Sequence, residues 1–158
     1  MRGLDTFLLP YIASQIISVI ILYVAFRNTR LARLLFALMF LYAGCYNMYI
    51  GFAKPDEYQG FAELALPLYR DFINGWFSSY NYLLIPLIAL GQLGIGLGMV
   101  LQDQWVQLAC IGAIIFLLSI APLMVGSAFP FSLTVSFALL LILRNDDMNV
   151  LWGPEERS

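Results

Sequence analysis

Long uncharged stretches alternate with short polar stretches along this sequence. Four of the uncharged stretches contain no Asp, Glu, Lys or Arg and have at least 20 residues each. They are Thr6–Phe26, Leu34–Ala53, Phe72–Gln102 and Gln104–Leu143. A helix of about 20 apolar residues spans the hydrocarbon layer of a bilayer, which is about 30 Å thick. Each stretch is therefore long enough to cross a membrane as a helix.

The last uncharged stretch is too long for a single span. Its 40 residues would form a helix of about 60 Å, which is twice the hydrocarbon thickness. Residues that favour turns lie near its middle, namely Pro122, Gly126, Ser127 and Pro130. We therefore predict an all-α polytopic transmembrane helix bundle whose termini lie on opposite sides of the membrane. Its five predicted spans are Phe7–Phe26, Leu34–Ala53, Tyr82–Leu101, Trp105–Val125 and Ala128–Leu143.

The polar stretch between the second and third spans has a helical pattern of its own. Its apolar residues recur at steps of three and four, as on one face of a helix. They are Phe61, Leu64, Leu68 and Phe72. Pro67 should kink or split this helix, and the aromatic residues around it are typical of membrane interfaces. We therefore expect a broken amphipathic helix at the interface over about residues 55–81, with Leu68 shielded from water.

The pattern divides the chain into three parts. Residues 1–33 hold the first span and a basic link, residues 34–143 hold four spans, and residues 144–158 form a polar tail that we expect to be frayed. The first span ends in a basic segment rather than at a small-residue cleavage site, so we interpret it as a retained helix. The link carries three basic residues, namely Arg27, Arg30 and Arg33, and short basic loops favour the cytoplasmic side of the membrane. We therefore predict that the link is cytoplasmic and that the N-terminus, at the other end of the first span, lies outside.

The composition supports a membrane protein and excludes several functions. Apolar residues make up 61% of the chain and charged residues 11%, whereas soluble domains have roughly 45–50% and 25%. The net charge is −2 with no basic cluster, which argues against nucleic-acid binding. The sequence has no His, which excludes imidazole catalysis and His-ligated haem or zinc. Cys45 and Cys110 are predicted at depths too different for a disulfide, and each is interpreted as a small buried hydrophobe.

The polar residues within the predicted spans are uncharged, which argues against a proton-coupled carrier that works alone. Two interpretations of these residues remain open. One is hydrogen bonding between helices, worth about 0.6 kcal/mol per bond. The other is a pocket for a quinone or another amphiphile, in which Gln92 and Asn47 bind a carbonyl group. Tyr42 and Tyr46 would then flank the ring of the ligand. In either case we expect Gln92 to face the bundle interior with a Tyr or Asn partner.

Glycines concentrate on the third predicted span. The spacing Gly94-x-x-x-Gly98 is typical of closely packed membrane helices. Gly91 extends the same flat surface. We therefore predict helix packing at Gly91, Gly94 and Gly98, either inside the bundle or between two copies of the chain.

Several short segments form a further pattern across residues 33–143. They are Arg33-Leu34-Leu35-Phe36, Tyr42-Ala43-Gly44, Gly51-Phe52-Ala53-Lys54-Pro55, the glycine-rich run from Leu90 to Gly98, and Gln102-Asp103-Gln104-Trp105. Over these segments the chain resembles the DoxX-like four-helix membrane proteins. The resemblance implies a four-helix unit, here preceded by an extra N-terminal helix, in a bacterial or archaeal plasma membrane. Some members are membrane subunits of thiosulfate:quinone oxidoreductases, so a quinone is the cofactor that the resemblance implies. Gln92 stands where the family often has Glu.

Together these observations predict a small integral membrane subunit or accessory protein of a membrane complex, which the resemblance links to quinone redox chemistry. The alternatives are a carrier or channel for a neutral or lipid-like solute, and a structural or assembly protein without catalysis. We expect no catalytic residue and no metal site, because no general base or metal cluster lies within the predicted spans. The expected partners are the lipid bilayer and either another protein subunit or a second copy of the chain.

Overall fold

The computed structural model describes residues 8–153, and within this range the chain is helical with no β-strand. The α-helices are α1 (Leu8–Arg27), α2 (Thr29–Ala53), α3 (Pro67–Phe72), α4 (Ser78–Val100), α5 (Gln104–Ile120) and α6 (Phe131–Asn145). Two 3₁₀ helices and one π-helical turn connect them, namely Pro55–Glu63, Ala121–Ser127 and Ile73–Phe77. The predicted all-α class is confirmed.

Four helical segments are long and apolar enough to cross a membrane. They are Leu8–Arg27, Thr29–Ala53, Pro67–Val100 and Gln104–Val125. Helix α6 is also apolar but has 15 residues, which corresponds to about 22 Å along its axis. The described chain is therefore an integral-membrane helix bundle with four long apolar segments and one shorter helix.

The first two helices meet at a capped turn rather than at a basic link. Phe7, the predicted first residue of α1, lies outside the described residues. Helix α2 begins earlier than predicted because the side chain of Asn28 accepts a hydrogen bond from the backbone N–H of Leu31 at 2.9 Å and caps the helix. Arg30 and Arg33 consequently belong to α2. The expected division of the chain at residue 33 falls inside a helix.

The predicted break in the longest uncharged stretch is present between α5 and α6, which end and begin somewhat farther from it than expected. Two carbonyl groups of this break accept hydrogen bonds from α1. Gln15 Nε2 donates to the oxygen of Ala128 at 2.5 Å, and Tyr11 Oη donates to the oxygen of Phe129 at 2.8 Å. Such bonds stabilise irregular backbone, which lipid cannot hydrogen-bond.

These connections define two opposite ends of the bundle. The cap end holds the cap segment (residues 55–77) together with the break at residues 121–130, next to the start of α1. The tail end holds Asn28, the turn between α4 and α5, and the tail segment (residues 146–153). A cavity lies at the cap end, whereas the buried ion pair between Arg33 and Asp146 lies at the tail end.

Arg33 fastens the tail segment to the start of α2. Its side chain is fully buried, and Nη1 lies 2.8 Å from Oδ1 of Asp146, whose side chain is also fully buried. The guanidinium also donates to three backbone carbonyls at 2.8–3.0 Å. These belong to Met99, Leu101 and Asn149. Arg33 is therefore a buried cation that joins three elements rather than the loop residue expected.

The tail segment is docked and not frayed over the part that the structure describes. The backbone N–H of Asp103 donates to the oxygen of Met148 at 2.7 Å. Arg30 lies 3.1 Å from the carboxylate of Asp147 and binds the oxygen of Gly153. The expectation of a frayed tail is wrong for residues 146–153, because carboxylates and carbonyls of this segment contact arginines that α2 places at the tail end. Residues 154–158 lie outside the described residues.

Small residues let α4 approach its neighbours closely. A Cβ atom at Gly98 would lie 2.8 Å from Cβ of Ala109 on α5, and one at Gly96 would lie 2.7 Å from Cγ of Leu41 on α2. Gly98 therefore packs inside the bundle, as predicted. The prediction is wrong for bundle packing at Gly91 and Gly94, where an added Cβ would meet no described neighbour within 4 Å. These two glycines lie on the outward side of α4, and the buried contact predicted for them is made by Gly96.

Candidate ligand cavity

A cavity of about 570 Å³ lies at the cap end of the bundle, under the cap segment. Its walls come from α2, α4, the cap segment, the end of α5 and the start of α6. Ligand pockets in proteins have volumes of roughly 300–1,000 Å³ and walls that are mostly apolar. The cavity is therefore large enough for a small ring-bearing ligand.

Eight of the 19 residues that line the cavity are aromatic, and most of the others are aliphatic. The aromatic residues are Phe40, Tyr58, Phe61, Tyr69, Phe72, Phe77, Phe116 and Phe131. Among the residues that the structure describes, no Asp, Glu, Lys or Arg lines it. A charged ligand would lose its hydration there without gaining a counter-ion, which costs several kcal/mol on an order-of-magnitude scale. The wall therefore favours an uncharged ligand with a ring or an apolar chain.

Three polar side chains form a relay along one wall of the cavity. Tyr58 Oη donates to Oδ1 of Asn47, and Nδ2 of Asn47 donates to Oε1 of Gln92 at 2.6 Å. Gln92 is 4% exposed, and its Nε2 has no hydrogen-bond partner among residues 8–153. The prediction that Gln92 faces the interior with a Tyr or Asn partner is confirmed. The same residue also offers one unused donor group in the cavity wall.

The phenol of Tyr58 stays protonated in this relay. Burial raises the pKa of Tyr58 to about 12, and the nearby Tyr46 and Glu57 add to the shift. A buried phenol resists ionisation because the phenolate would lose its hydration. Tyr58 therefore keeps its proton throughout the physiological pH range.

Tyr42 and Tyr46 do not line the cavity. Their side chains are 74% and 50% exposed, and their rings stack on each other with centroids 6.3 Å apart. Successive residues of a helix are about 100° apart, so residues at steps of four share a face. Asn47 therefore shares its face with Ala43, while the two tyrosines share another. The structure therefore does not place the two tyrosines beside a ligand ring in this cavity, because their side chains lie on the exposed outer surface of α2.

The cap segment is held over the cavity by hydrogen bonds to the break, to α5 and to α4. The backbone N–H of Leu66 donates to the oxygen of Pro122 at 3.1 Å, and Tyr69 Oη donates to the oxygen of Ser119 at 2.6 Å. Oδ1 of Asp56 accepts a hydrogen bond from Nδ2 of Asn81 at 2.8 Å. These bonds place the aromatic residues of the cap segment over the ends of α2 and α5.

The apolar face predicted for the cap segment is only partly formed. Phe61 and Phe72 line the cavity, whereas Leu68 is 79% exposed and lies on the outer side. The buried residues of this segment are Ala62, Ala65 and Ile73. The periodicity of an α-helix cannot hold across the segment, because a 3₁₀ helix ends at Glu63 and a new helix begins at Pro67.

Sequence reasoning missed the aromatic residues that close the cavity from above. Aromatic residues near a membrane interface can face either the lipid headgroups or a cavity, and the sequence does not distinguish these two orientations. The residues concerned are Phe61, Tyr69, Phe72 and Phe77.

The structure places the two cysteines in different surroundings. Cys110 is buried as expected, whereas Cys45 is exposed on the outer face of α2. Among residues 8–153, no cluster of His, Cys, Asp or Glu could hold a metal ion.

No protein-family model, no curated protein and no solved structure matches this chain.

Proposed function

We propose that the protein is a small integral-membrane subunit or accessory protein that binds an uncharged ring-bearing amphiphile, such as a quinone, in the cavity at the cap end. The observation that carries this proposal is the unused Nε2 group of Gln92 in a largely apolar wall that is rich in aromatic rings. A ligand carbonyl at this position would accept a hydrogen bond from Nε2 of Gln92. The rings of the wall would pack against the ligand ring at the same time.

The lipid location of the site supports a ligand that arrives through the membrane. The cavity lies between helices that are apolar enough to be transmembrane, and its wall includes the cap segment. A quinone with an isoprenoid tail matches this setting because its head is uncharged and its tail is soluble in lipid. The resemblance to DoxX-like proteins points to the same ligand class and to a partner subunit that carries out the redox step.

We also propose that the tail end is cytoplasmic, which places the N-terminus outside, in a bacterial or archaeal plasma membrane. Four arginines lie at or near the tail end, namely Arg27, Arg30, Arg33 and Arg144. The described cap end carries Lys54 and Arg70. An excess of Lys and Arg near the ends of the spans favours the cytoplasmic side. The cavity would then open near the outer half of the membrane.

Quenching of tryptophan fluorescence by decylubiquinone tests the proposed function. The ring of Trp76 lies 5.7 Å from the ring of Phe72, which lines the cavity, whereas Trp105 and Trp152 lie at the tail end. In protein carrying Trp105→Phe and Trp152→Phe, we expect saturable quenching of Trp76. A quinone that only partitions into the detergent micelle would give quenching without saturation.

Two glutamine variants distinguish an effect on the cavity from a general effect on the helix bundle. Gln92→Leu removes the unused donor, and we expect the apparent Kd for decylubiquinone to rise about tenfold. Gln107→Leu is the matched control because Gln107 is exposed on α5. Its Kd should equal that of the parent. Unsaturable quenching, or equal quenching in the parent and in Gln92→Leu, would overturn the proposed function.

A further inference from the structure

Helices α4 and α5 lie against each other at the tail end and separate toward the cap end. An added Cβ at Gly98 would lie 2.8 Å from Cβ of Ala109, and one at Gly112 would lie 3.6 Å from Cγ1 of Ile95. Gly91 precedes Gly98 by seven residues, which is about two helical turns, so both lie on nearly the same line of α4. An added Cβ at Gly91 would meet no described neighbour within 4 Å. The seam between the two helices is therefore open from about Gly91 toward the cap end.

The cavity opens into this part of the seam. Of the residues that line it, Phe72, Ile88 and Ser119 are exposed, and the others are buried or half-buried. Ile88 lies seven residues before Ile95 on α4. Ser119 lies seven residues after Gly112 on α5, so both continue the facing lines of the two helices toward the cap end. The cavity therefore has an opening between α4 and α5, which we call the side portal and which Ile88 and Ser119 border.

Phe72 borders the side portal from the cap segment. Its ring lies 6.3 Å from the ring of Tyr69, whose hydroxyl donates to the oxygen of Ser119 at 2.6 Å. The hydroxyl of Ser119 donates in turn to the oxygen of Phe116 at 2.7 Å. Both hydroxyl groups at the side portal are thus bonded to the backbone of α5, and the remaining border residues are apolar. Such a border favours an alkyl chain, because a polar group passing through it would lose its hydration.

The side portal faces the hydrocarbon layer of the bilayer. Ile88 lies ten residues after the first residue of α4 and twelve before the last, which is about 15 Å and about 18 Å along the axis. It is therefore near the middle of a helix that crosses a layer about 30 Å thick. Leu87 and Ile115 lie beside the seam and are 62% and 64% exposed. A group that leaves the cavity through the side portal enters lipid.

We infer that the side portal takes an alkyl chain of the ligand, so that the ring lies in the cavity while the chain passes between α4 and α5 into the bilayer. This inference rests on the proposed function, since it concerns the same cavity. It specifies the ligand class further, as a ring that carries a chain long enough to reach the lipid. It also gives Gly91 a role, because a residue without a side chain keeps the seam open for this chain.

Two phenylalanine variants of α4 test the inference. Gly91→Phe places a ring in the open seam beside the side portal, and Gly91 is not one of the residues that line the cavity. Gly94→Phe is the matched control, because an added Cβ meets no described neighbour there either and the position is about one turn farther from Ile88. Both variants are made in the protein that keeps Trp76 alone. The Kd values for decylubiquinone and for ubiquinone-0, which is the same ring without the decyl chain, are measured by quenching of Trp76.

Gly91→Phe should weaken binding only of the quinone that carries a chain. We expect the Kd for decylubiquinone to rise about tenfold, which corresponds to the loss of contact for about two methylene groups. The Kd for ubiquinone-0 should stay that of the parent, and Gly94→Phe should change neither value. Each quinone is compared across variants in the same detergent, so its partition into the micelle cancels.

A decylubiquinone with a diazirine at the end of its chain gives a second measurement, which needs no change at Gly91. Irradiation of its complex with the parent should attach the chain to outward residues beside the seam, including Leu87 and Ile115. Mass spectrometry of the peptides identifies the sites. An excess of plain decylubiquinone should suppress this attachment, which distinguishes the bound ligand from ligand dissolved in the micelle.

The outcomes separate the inference from the proposed function. Saturable binding of decylubiquinone with equal Kd in the parent and in Gly91→Phe overturns the inference, because membrane lipid would then fill the seam, and it leaves the cavity as a ring site. An equal rise for both quinones, or the same rise in Gly94→Phe, overturns the inference as well. If Gly91→Phe does not fold, suppressible attachment to α4 and α5 supports the inference, and attachment to the cap segment or to the buried wall overturns it. A lack of saturable quenching in the parent overturns the proposed function together with the inference.

Discussion

The guanidinium of Arg33 lies 2.8 Å from the carboxylate of Asp146, and neither side chain is exposed. The two residues come from opposite ends of the sequence and meet at the tail end of the bundle. Arg33 also binds carbonyls that follow or end α4, including that of Met99 at 3.0 Å. The C-terminal groups of a membrane helix need such partners, because lipid offers none. The pair therefore completes the end of α4 and holds the tail segment.

Asp146→Ala should destabilise the protein strongly. The change leaves Arg33 buried without its counter-ion, and removing one partner of a buried pair costs about 3–5 kcal/mol. Unfolding in detergent, followed by circular dichroism, measures this loss as a lower free energy of unfolding. The double variant Arg33→Met with Asp146→Leu should recover much of it, because it leaves no buried charge without a partner.

The second ion pair of the tail end supplies the control for this prediction. Arg30 and Asp147 lie 3.1 Å apart, and the side chain of Asp147 is 45% exposed. Asp147→Ala should therefore cost about 0–1 kcal/mol, as is usual for exposed pairs. If Asp146→Ala and Asp147→Ala lowered the free energy of unfolding equally, burial would not make the Arg33–Asp146 pair more costly to break than an exposed pair.

Arg33 also shows what a one-dimensional pattern can and cannot predict. The charge-free stretches gave the number and approximate position of the long helices, because the length of a span follows from bilayer thickness. They placed Arg33 in a loop because a charged residue ends an uncharged stretch by definition. Its burial depends on Asp146, which only the folded chain brings beside it. The same pairing explains why the polar tail segment is docked and not frayed.

Only one part of the candidate site could be predicted from the sequence, namely the contact between Gln92 on α4 and Asn47 on α2. Gln92 on α4 needed a partner on another helix, and Asn47 was among the few available, so this pair could be found. The aromatic cover could not be found, because it depends on where the cap segment breaks. Tyr42 could have been excluded by its position on α2, since it lies on a different face from Asn47.

Gly98→Ala should destabilise the bundle, whereas Gly94→Ala should not. A Cβ atom at Gly98 would lie 2.8 Å from Cβ of Ala109 and 3.1 Å from the oxygen of Trp105, so α4 and α5 would have to move apart. Overpacking of this kind costs about 1–3 kcal/mol. At Gly94 the added methyl group meets no described neighbour. It should be neutral or stabilise α4 by about 0.5–1 kcal/mol through helix propensity.

Thermal unfolding of the two variants in the same detergent checks this pair of predictions. The oligomeric state should be followed by size-exclusion chromatography as well. If Gly94→Ala dissociated an oligomer without changing the stability of the single chain, the outward side of α4 would be an interface between copies. If Gly98→Ala were as stable as the parent, the close contact of α4 with α5 would be contradicted.

Cysteine labelling should distinguish three surroundings along the cap segment. Glu63 is exposed, Leu68 is 79% exposed, and Ala62 is 1% exposed. In liposomes and in a background with Cys45→Ala and Cys110→Ala, a charged maleimide should label Glu63→Cys rapidly and Leu68→Cys slowly. The reason is that Leu68 is open on the protein surface, so only lipid can shield it from the reagent.

A membrane-soluble maleimide supplies the comparison for the labelling experiment. It should label Leu68→Cys readily, because the side chain is not covered by protein, but it should label Ala62→Cys slowly. Rapid labelling of Glu63→Cys and Leu68→Cys alike by the charged reagent would place the cap segment in water. Slow labelling of Leu68→Cys by both reagents would show that another protein surface covers it.

Stability should depend on Tyr58 at alkaline pH. Its pKa in the folded protein is about 12, against 10.0 for an unperturbed tyrosine. Below pH 10 both the folded and the unfolded forms hold the proton, so the contribution of Tyr58 to the free energy of unfolding is fully present. As the pH rises from about 10 to about 12, the unfolded form releases the proton first, and this contribution is lost. The free energy of unfolding of the parent should therefore fall relative to that of Tyr58→Phe in this window.

The absorbance of phenolate at 295 nm provides a direct check, because subtracting the titration of Tyr58→Phe from that of the parent isolates this one group. The difference curve should have its midpoint near pH 12 in the folded protein and near pH 10 after denaturation. A midpoint near pH 10 in both states would show that the phenol of Tyr58 is hydrated in the folded protein, which would contradict its burial in the cavity wall.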